Sequence, residues 1–207
     1  GHARPSRQSK QQDGKISLLI DIQNNIKAQQ SAGFTHWAKL NNLKQAAKTM
    51  NFLTEHGIGS YEELECKVDA VSARRDTTHT EIKRIESRSA KLTLVMKHAT
   101  TYRQLKPIYD RYRKSGDKEK FLRGHESEII LFEAAARELK RLGAVPLPTT
   151  ESMKTELANL NAEKERLLAE YKAARTEAQE YDTVKQNVDA LLAVPKEQEQ
   201  QRRHELE

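Results

Sequence analysis

The sequence predicts an all-α protein, built as a long antiparallel coiled-coil hairpin with a compact helical tip and two shorter helices near its base. Residues 64–103 and 153–192 support this fold, because inward-facing positions recur in each at alternating spacings of four and three. A seam with a period of 3.5 residues is typical of supercoiled helices. The composition agrees: 36% of residues are hydrophobic, 32% are charged and 5% are aromatic, which suits long helices with solvated outer faces.

Two seams follow from this spacing. The first consists of Leu64, Val68, Val71, Arg75, Thr78, Ile82, Ile85, Ser89, Leu92, Met96, Ala99 and Arg103. The second consists of Met153, Leu157, Leu160, Lys164, Leu167, Tyr171, Ala174, Ala178, Tyr181, Lys185, Val188 and Leu192. Chain reversal between the two arms favours an intramolecular antiparallel pairing over a parallel homodimer. Arg75, Lys164 and Lys185 weaken a tight zipper, because a charge at a seam position must reach solvent or a partner.

The amino-terminal part of the chain is expected to contain two helices before the first arm. Residues 1–14 are polar and basic, so we predict a disordered lead-in that opens with a scar of tag removal. The following segment, 15–57, carries a helical apolar stripe that Gly33 interrupts. The second helix is expected from about Phe34 to His56. Its predicted buried face consists of Trp37, Leu40, Leu43, Ala47, Met50 and Leu53.

The hairpin is predicted over residues 58–195. Gly57 is expected to end the preceding helix in a left-handed conformation. Ser60 and Glu63 form a capping box, in which each side chain accepts a hydrogen bond from an otherwise unpaired amide at the helix start. Pro107 is expected to interrupt the first arm, because proline lacks the N–H donor and clashes with the preceding turn.

The helical tip is predicted over about 104–148. It begins with a short helix from Pro107 to Lys114, after which Asp117 caps a helix that Gly143 ends. The expected buried residues of this second helix are Phe121, Leu122, Ile129, Leu131, Phe132, Ala136 and Leu139. The segment 144–148 contains two prolines and is expected to be a stiff, non-helical connector.

The second arm is expected to start at a cap formed by Thr149 or Thr150 and to persist to about Ala193, before Pro195. The tail, 196–207, is composed mainly of Glu, Gln and Arg with almost nothing to bury, so we predict that it is disordered.

No residue set in the sequence has the spacing of a catalytic or metal centre. The seven histidines show neither the i, i+4 spacing nor the His-x-His pair that binds metal, and one cysteine provides no zinc framework. A glycine-rich phosphate loop and a Gly-x-Ser-x-Gly elbow are also missing from the sequence. We therefore expect a protein that is not an enzyme and needs no cofactor. No apolar run approaches the roughly 18 residues that cross a bilayer.

One segment, from Lys97 to His125, stands out electrostatically and is called the basic segment below. It contains nine Lys or Arg residues and three carboxylates, a local excess equal to the formal net charge of +6 of the whole chain. Such an excess favours phosphate contacts. The candidate nucleic-acid-binding residues are Arg103, Lys106, Arg111, Arg113, Lys114, Lys118, Lys120 and Arg123, with the interleaved Tyr102, Tyr109 and Tyr112.

The three tyrosines allow two interpretations. They could stack on unpaired bases, as aromatic side chains do in single-strand binding proteins. Alternatively, they pack the helical tip and the cations only keep it soluble. Their helical spacings, which Pro107 interrupts, suit packing at least as well as stacking.

Several sequence stretches carry a family resemblance: 16–22, Gly33 with 37–39, 42–45, 53–56 and 101–109. Together they resemble the carboxy-terminal region of relaxase/mobilisation nucleases carried by conjugative transposons, and the likeness covers nearly all of 15–195. Members of that family nick DNA at the transfer origin with a tyrosine and a histidine-bound metal, in an amino-terminal nuclease domain. That constellation maps onto no residues of this chain, so the resemblance implies a non-catalytic accessory domain.

The resemblance also implies partners and a location. We expect single-stranded DNA, or a coupling protein or other protein of the transfer machinery, as the partner in the bacterial cytoplasm during conjugation and mobilisation. A monomer is favoured, with a homodimer as the alternative. The competing interpretation is a coiled-coil spacer or protein-interaction module that does not bind nucleic acid.

Overall fold

The computed structural model describes residues 18–27 and 36–204, with the side chains of 36–41 and 194–204 left out. These residues form helices and contain no strand, so the all-α prediction is confirmed. The predicted lead-in and the break at Gly33 lie outside the described residues. The helices are α1 (residues 18–27), α2 (His36–Glu55), α3 (Tyr61–Lys114), α4 (Lys118–Arg141) and α5 (Thr150–His204). None of them is long and apolar enough to cross a membrane.

The chain divides into two compact units, to which α3 and α5 both contribute. Unit 1 comprises Gly1–Thr77 and Lys172–Glu207, and unit 2 comprises Thr78–Tyr171. Each unit has its own hydrophobic core, so the two are described separately.

In unit 1, α1, α2 and the start of α3 pack against the second half of α5. The buried core consists of Leu18, Ile22, Ala46, Phe52, Leu53, Ile58, Leu64, Val71, Ala178, Tyr181, Val184, Val188 and Leu191. Tyr61 donates a hydrogen bond to Asp189 at 2.5 Å, and Arg74 pairs with Glu177. Residue numbers rise along α3 as they fall along α5, so the two helices are antiparallel in this unit.

In unit 2, α4 and α5 pack on α3. One core cluster consists of Leu92, Val95, Ala99, Leu139, Ala144 and Met153, and a second consists of Ile82, Ile85 and Leu167. Ion pairs join Lys164 to Glu86 at 2.9 Å and Arg88 to Glu156 at 2.6 Å. Residue numbers rise along α3 as they fall along α5 in these two pairs, so α3 and α5 are antiparallel in this unit as well.

The predicted seams form the apolar contact in both units. Every seam position is buried or half-buried with the exception of Arg103, which is exposed. Within each unit the seam of α3 meets the seam of α5 from the same chain, as the intramolecular pairing predicts. The hairpin as a whole stays a prediction.

The charged seam residues have the partners that burial requires. Lys185 donates to the Tyr61 hydroxyl at 2.8 Å and to Asp189 at 3.2 Å, and these bonds raise the pKa of Lys185. The hydrogen bond from Lys164 lowers the pKa of the Glu86 carboxyl. Each ammonium therefore lies at the margin of a seam, where it is paired and partly solvated.

Two glycines end helices as the sequence predicts. Gly57 (φ +63°) follows α2 and Gly143 (φ +69°) follows α4, both in the left-handed region. After Gly57, the amide of Ile58 donates to Leu53 O at 2.8 Å, and after Gly143 the amide of Ala144 donates to Leu139 O at 2.9 Å. These bonds satisfy carbonyls that the helix end would otherwise leave unpaired.

Three predicted helix starts are also observed. Ser60 Oγ accepts from the amide of Glu63 at 3.1 Å, and Thr149 Oγ1 accepts from the amide of Ser152 at 3.1 Å. Asp117 caps α4 by accepting from the amide of Lys120 at 2.9 Å. The Glu63 carboxylate accepts from the amide of Gly59 at 2.8 Å, one residue before the amide used in a standard capping box.

The predicted buried face of α2 is wrong at Leu43 and Ala47, which are exposed. Met50 is half-buried and Leu53 is buried as expected, whereas the side chains of Trp37 and Leu40 are outside the described set. The buried stripe instead includes Thr49, whose hydroxyl donates to Gln45 O at 2.9 Å. A threonine paired in this way can be buried without an unsatisfied polar group.

The predicted buried face of α4 is wrong at Leu131, which is 54% exposed. Ile129, Phe132 and Leu139 are buried as predicted, while Phe121, Leu122 and Ala136 are half-buried. Leu131 does not fit because Ile129, Phe132, Ala135 and Leu139 already form a stripe at spacings of three and four, and Leu131 lies beside it.

The expected interruption at Pro107 is wrong, because α3 continues through this residue to Lys114. A proline inside a helix removes one backbone hydrogen bond. Packing on both sides offsets that loss: the rings of Tyr102 and Tyr109 stack on Phe132 of α4, with centroids 4.7 Å and 4.2 Å apart. The Phe132 ring of α4 thus contacts the helical turns on both sides of the proline and stabilises them.

The expected end of the second arm near Ala193 is also wrong, because α5 runs through Pro195 to His204. The residues after the proline are mostly Lys, Glu, Gln and Arg, which favour helix. The predicted disordered tail is therefore helical over 196–204, and residues 205–207 lie outside the described residues.

Leu92→Ala should lower the free energy of unfolding by about 2–5 kcal/mol, because it leaves a cavity in the core of unit 2. Leu94→Ala is the matched control on the same helix. Its side chain is 44% exposed, so a loss below about 1 kcal/mol is expected. Urea denaturation of both variants measures the difference. Equal losses would contradict the placement of Leu92 in the core.

Gly143→Ala should destabilise the protein by about 1 kcal/mol, because an alanine in the left-handed region brings its Cβ close to the following carbonyl. Gly116→Ala serves as the control, since the φ of Gly116 is not positive and the added Cβ would meet no atom within 4 Å. Thermal unfolding should show a lower midpoint for Gly143→Ala only. An unchanged midpoint would argue against the left-handed helix end.

Candidate nucleic-acid interface

The basic segment spans the end of α3, a three-residue turn and the start of α4, all within unit 2. The turn is closed by short hydrogen bonds. The amide of Ser115 donates to Tyr112 O at 3.2 Å, and the Ser115 hydroxyl donates to Asp117 O at 3.0 Å. This turn joins the cations at the end of α3 to those in the first turn of α4.

Three of the eight candidate cations are held by neighbouring groups. Arg103 donates to Thr150 Oγ1 at 2.7 Å and to Pro148 O at 2.5 Å. Lys106 pairs with Asp110 at 2.7 Å, one turn along α3, and this hydrogen bond raises the pKa of Lys106.

The third held cation is Arg123, which pairs with Glu119 at 3.0 Å along α4. The charged groups of all three held cations are thus already engaged by protein groups. A ligand would have to compete with these groups for Arg103, Lys106 and Arg123.

The other five candidate cations are exposed and form no ion pair or side-chain hydrogen bond within the described part of the chain. We call them the unpaired cations: Arg111, Arg113, Lys114, Lys118 and Lys120. The carboxylates of the basic segment neutralise them only in part. Asp110 and Glu119 are paired with held cations, and the Asp117 carboxylate accepts the Lys120 amide as the cap of α4. Residues 111–120 therefore carry five cations without a side-chain partner among the described residues, and Asp117 is the one carboxylate of this stretch that is not paired with a held cation.

The tyrosines pack against other aromatic rings, as the packing interpretation predicts. Tyr102 and Tyr109 both stack on Phe132, at interplanar angles of 24° and 23°. Tyr112 lies 6.2 Å from Phe121 and 6.1 Å from Tyr109, measured between ring centroids. All three tyrosines are half-buried.

Phe132 is the residue of this cluster that sequence reasoning did not connect to the tyrosines. A signal was present, because Tyr102 and Tyr109 are seven residues apart and share one face of an unbroken helix. The expected interruption at Pro107 placed Tyr102 and Tyr109 on separate helices, so their shared face was not predicted.

No group of three His, Cys, Asp or Glu side chains in 18–27 and 36–204 could hold a metal ion. The cysteine, Cys66, is exposed on α3 in unit 1. Comparisons of the chain with protein-family models, with curated proteins and with solved structures find no match.

Phe132→Ala should lower the free energy of unfolding by about 3–5 kcal/mol, because it removes the ring on which both tyrosines stack. Leu131→Ala is the neighbouring control and should cost less than about 1 kcal/mol, since Leu131 is mostly exposed. Chemical denaturation compares the two variants. A small loss for Phe132→Ala would contradict the aromatic packing of the tip.

Proposed function

We propose that this chain binds nucleic acid through the unpaired cations, as a non-catalytic accessory domain of a conjugative relaxase. The observation that carries the proposal is the excess of positive charge between Arg111 and Lys120. Five exposed cations lie within ten residues there, while the nearby carboxylates are engaged elsewhere. A polyanion that contacts these cations releases the counterions condensed along its backbone, which favours binding.

The charges outside the basic segment support this location. Along the arms, several cations are paired across helices, as in Arg88 with Glu156 in unit 2 and Arg74 with Glu177 in unit 1. Paired surface charges of this kind contribute little to the field at a distance. The unpaired cations of the basic segment, in contrast, lie close together in the sequence, since all five fall within residues 111–120.

The resemblance of residues 15–195 to relaxases supplies the biological setting of the proposal. The partner is then the strand transferred in conjugation, and the domain holds it while the nuclease or a coupling protein acts. We infer a non-catalytic role because the tyrosine and histidine-bound metal of the family have no counterparts in this sequence.

The alternative, a spacer or protein-interaction module, makes a different prediction for the purified chain. It requires no affinity for DNA, and a stable dimer at micromolar concentration would favour it. Light scattering combined with size exclusion measures that mass. The DNA-binding proposal is compatible with a monomer of 23.7 kDa, because the seams meet within the chain in both units.

The double variant Lys114→Gln with Lys118→Gln should weaken single-stranded DNA binding and reduce its salt dependence. The slope of log K against log salt concentration should fall by about 1.4, because each phosphate contact on a single strand contributes about 0.7. Fluorescence anisotropy between about 50 and 200 mM salt measures this slope.

The matched control is Lys106→Gln with Arg123→Gln, which removes the same number of charges from paired positions. Its slope should change by less than half as much, since these cations are engaged by Asp110 and Glu119. Equal changes in the two double variants would show that net charge alone matters. Binding that is absent, or insensitive to salt, would overturn the proposed function.

A further inference from the structure

We infer that the unpaired cations recognise the phosphodiester backbone alone. The protein then binds an abasic strand as tightly as a strand with bases, and duplex DNA as tightly as single strands. This inference rests on the proposed function and specifies its ligand. It differs from the binding mode that the interleaved tyrosines suggest, in which unpaired bases stack on aromatic rings.

The first step concerns the rings that a base would need. Tyr102 and Tyr109 each direct a face towards Phe132, at centroid distances of 4.7 Å and 4.2 Å. Phe132 is only 6% exposed, so the three rings are part of the core of the tip. A base could stack on the engaged faces only if this packing were disrupted.

The second step concerns the rest of the aromatic side chains. Tyr112 contacts the rings of Tyr109 and Phe121, and Phe121 in turn contacts His125 at 4.6 Å. Every Phe and Tyr whose side chain is described is buried or half-buried. The large apolar side chains that are exposed in the described part are all aliphatic. Beside the unpaired cations the structure therefore offers no fully exposed aromatic ring, and Tyr102 and Tyr109 each have one face covered by Phe132.

The third step concerns the polar groups that read base edges. Asn and Gln, which form paired hydrogen bonds with adenine, are absent between residues 111 and 120, which leaves the arginines and lysines of this segment as the side chains that could pair with guanine. Three of the five unpaired cations are lysines, which act as point charges towards phosphate. Phosphate contacts position a protein on nucleic acid but carry no sequence information. Lysine-rich charge without a fully exposed aromatic ring or an Asn or Gln amide favours binding to the backbone.

The test compares three ligands of about 30 residues, longer than the site of a typical single-strand binding module. They are oligo-dT, an oligonucleotide of the same length in which every base is replaced by an abasic residue, and a duplex. We expect the abasic strand to bind within about twofold of oligo-dT, because stacking contributes nothing. The duplex should bind at least as tightly, with a salt slope of about 0.9 per contact instead of about 0.7.

An abasic strand that binds about tenfold or more weakly than oligo-dT would overturn the inference while leaving DNA binding in place, since loss of stacked bases has effects of that size. Failure of all three ligands to bind would overturn the proposed function and the inference together. The two failures are therefore distinguishable.

A variant provides a second readout. Tyr112→Leu should change the affinity for oligo-dT by less than about twofold, whereas removal of a stacking aromatic costs about fivefold or more. Lys114→Gln is the positive control in the same segment and should weaken binding of oligo-dT and of the abasic strand alike. Circular dichroism confirms that both variants keep their helix content. A large loss for Tyr112→Leu on oligo-dT but not on the abasic strand would also overturn the inference.

Discussion

The interaction on which the rest of the structure depends is the contact between the apolar seams of α3 and α5. Each helix is polar except for one stripe, so neither could remain folded alone with that stripe exposed to water. In both units the stripe of one helix covers the stripe of the other. The charged members of the seams are tolerated because each lies at a margin and has a partner, as Lys185 has in Tyr61 and Asp189.

The sequence was sufficient wherever a local signal determines the structure. The seam repeat, the left-handed Gly57 and Gly143, and the caps at Ser60 and Asp117 each depend on residues within one or two turns. The prolines are different. Whether Pro107 ends α3 depends on packing against Phe132, a residue 25 positions away, and no local pattern contains that information.

Long-range packing also explains why only part of the candidate site could be predicted from the sequence. The excess of positive charge was visible in the sequence, because a charge count needs no structure. The division into held and unpaired cations was not. Lys106 and Asp110 are neighbours only if the helix continues past Pro107, because their i, i+4 spacing brings them together on a helix surface. Arg103 is held by Pro148 and Thr150, which approach it only in the folded unit.

The uninterrupted helix also determines which side chains of the basic segment remain available to a ligand. Because α3 continues through Pro107 and both Tyr102 and Tyr109 stack on Phe132, the aromatic side chains of the basic segment are used to stabilise the fold. The carboxylates are used in the same way, for a cap and for pairing along the helices. What the fold leaves for a ligand is the positive charge of Arg111, Arg113, Lys114, Lys118 and Lys120. A surface of this composition distinguishes a polyanion from a neutral molecule, but it has little means to distinguish one base from another.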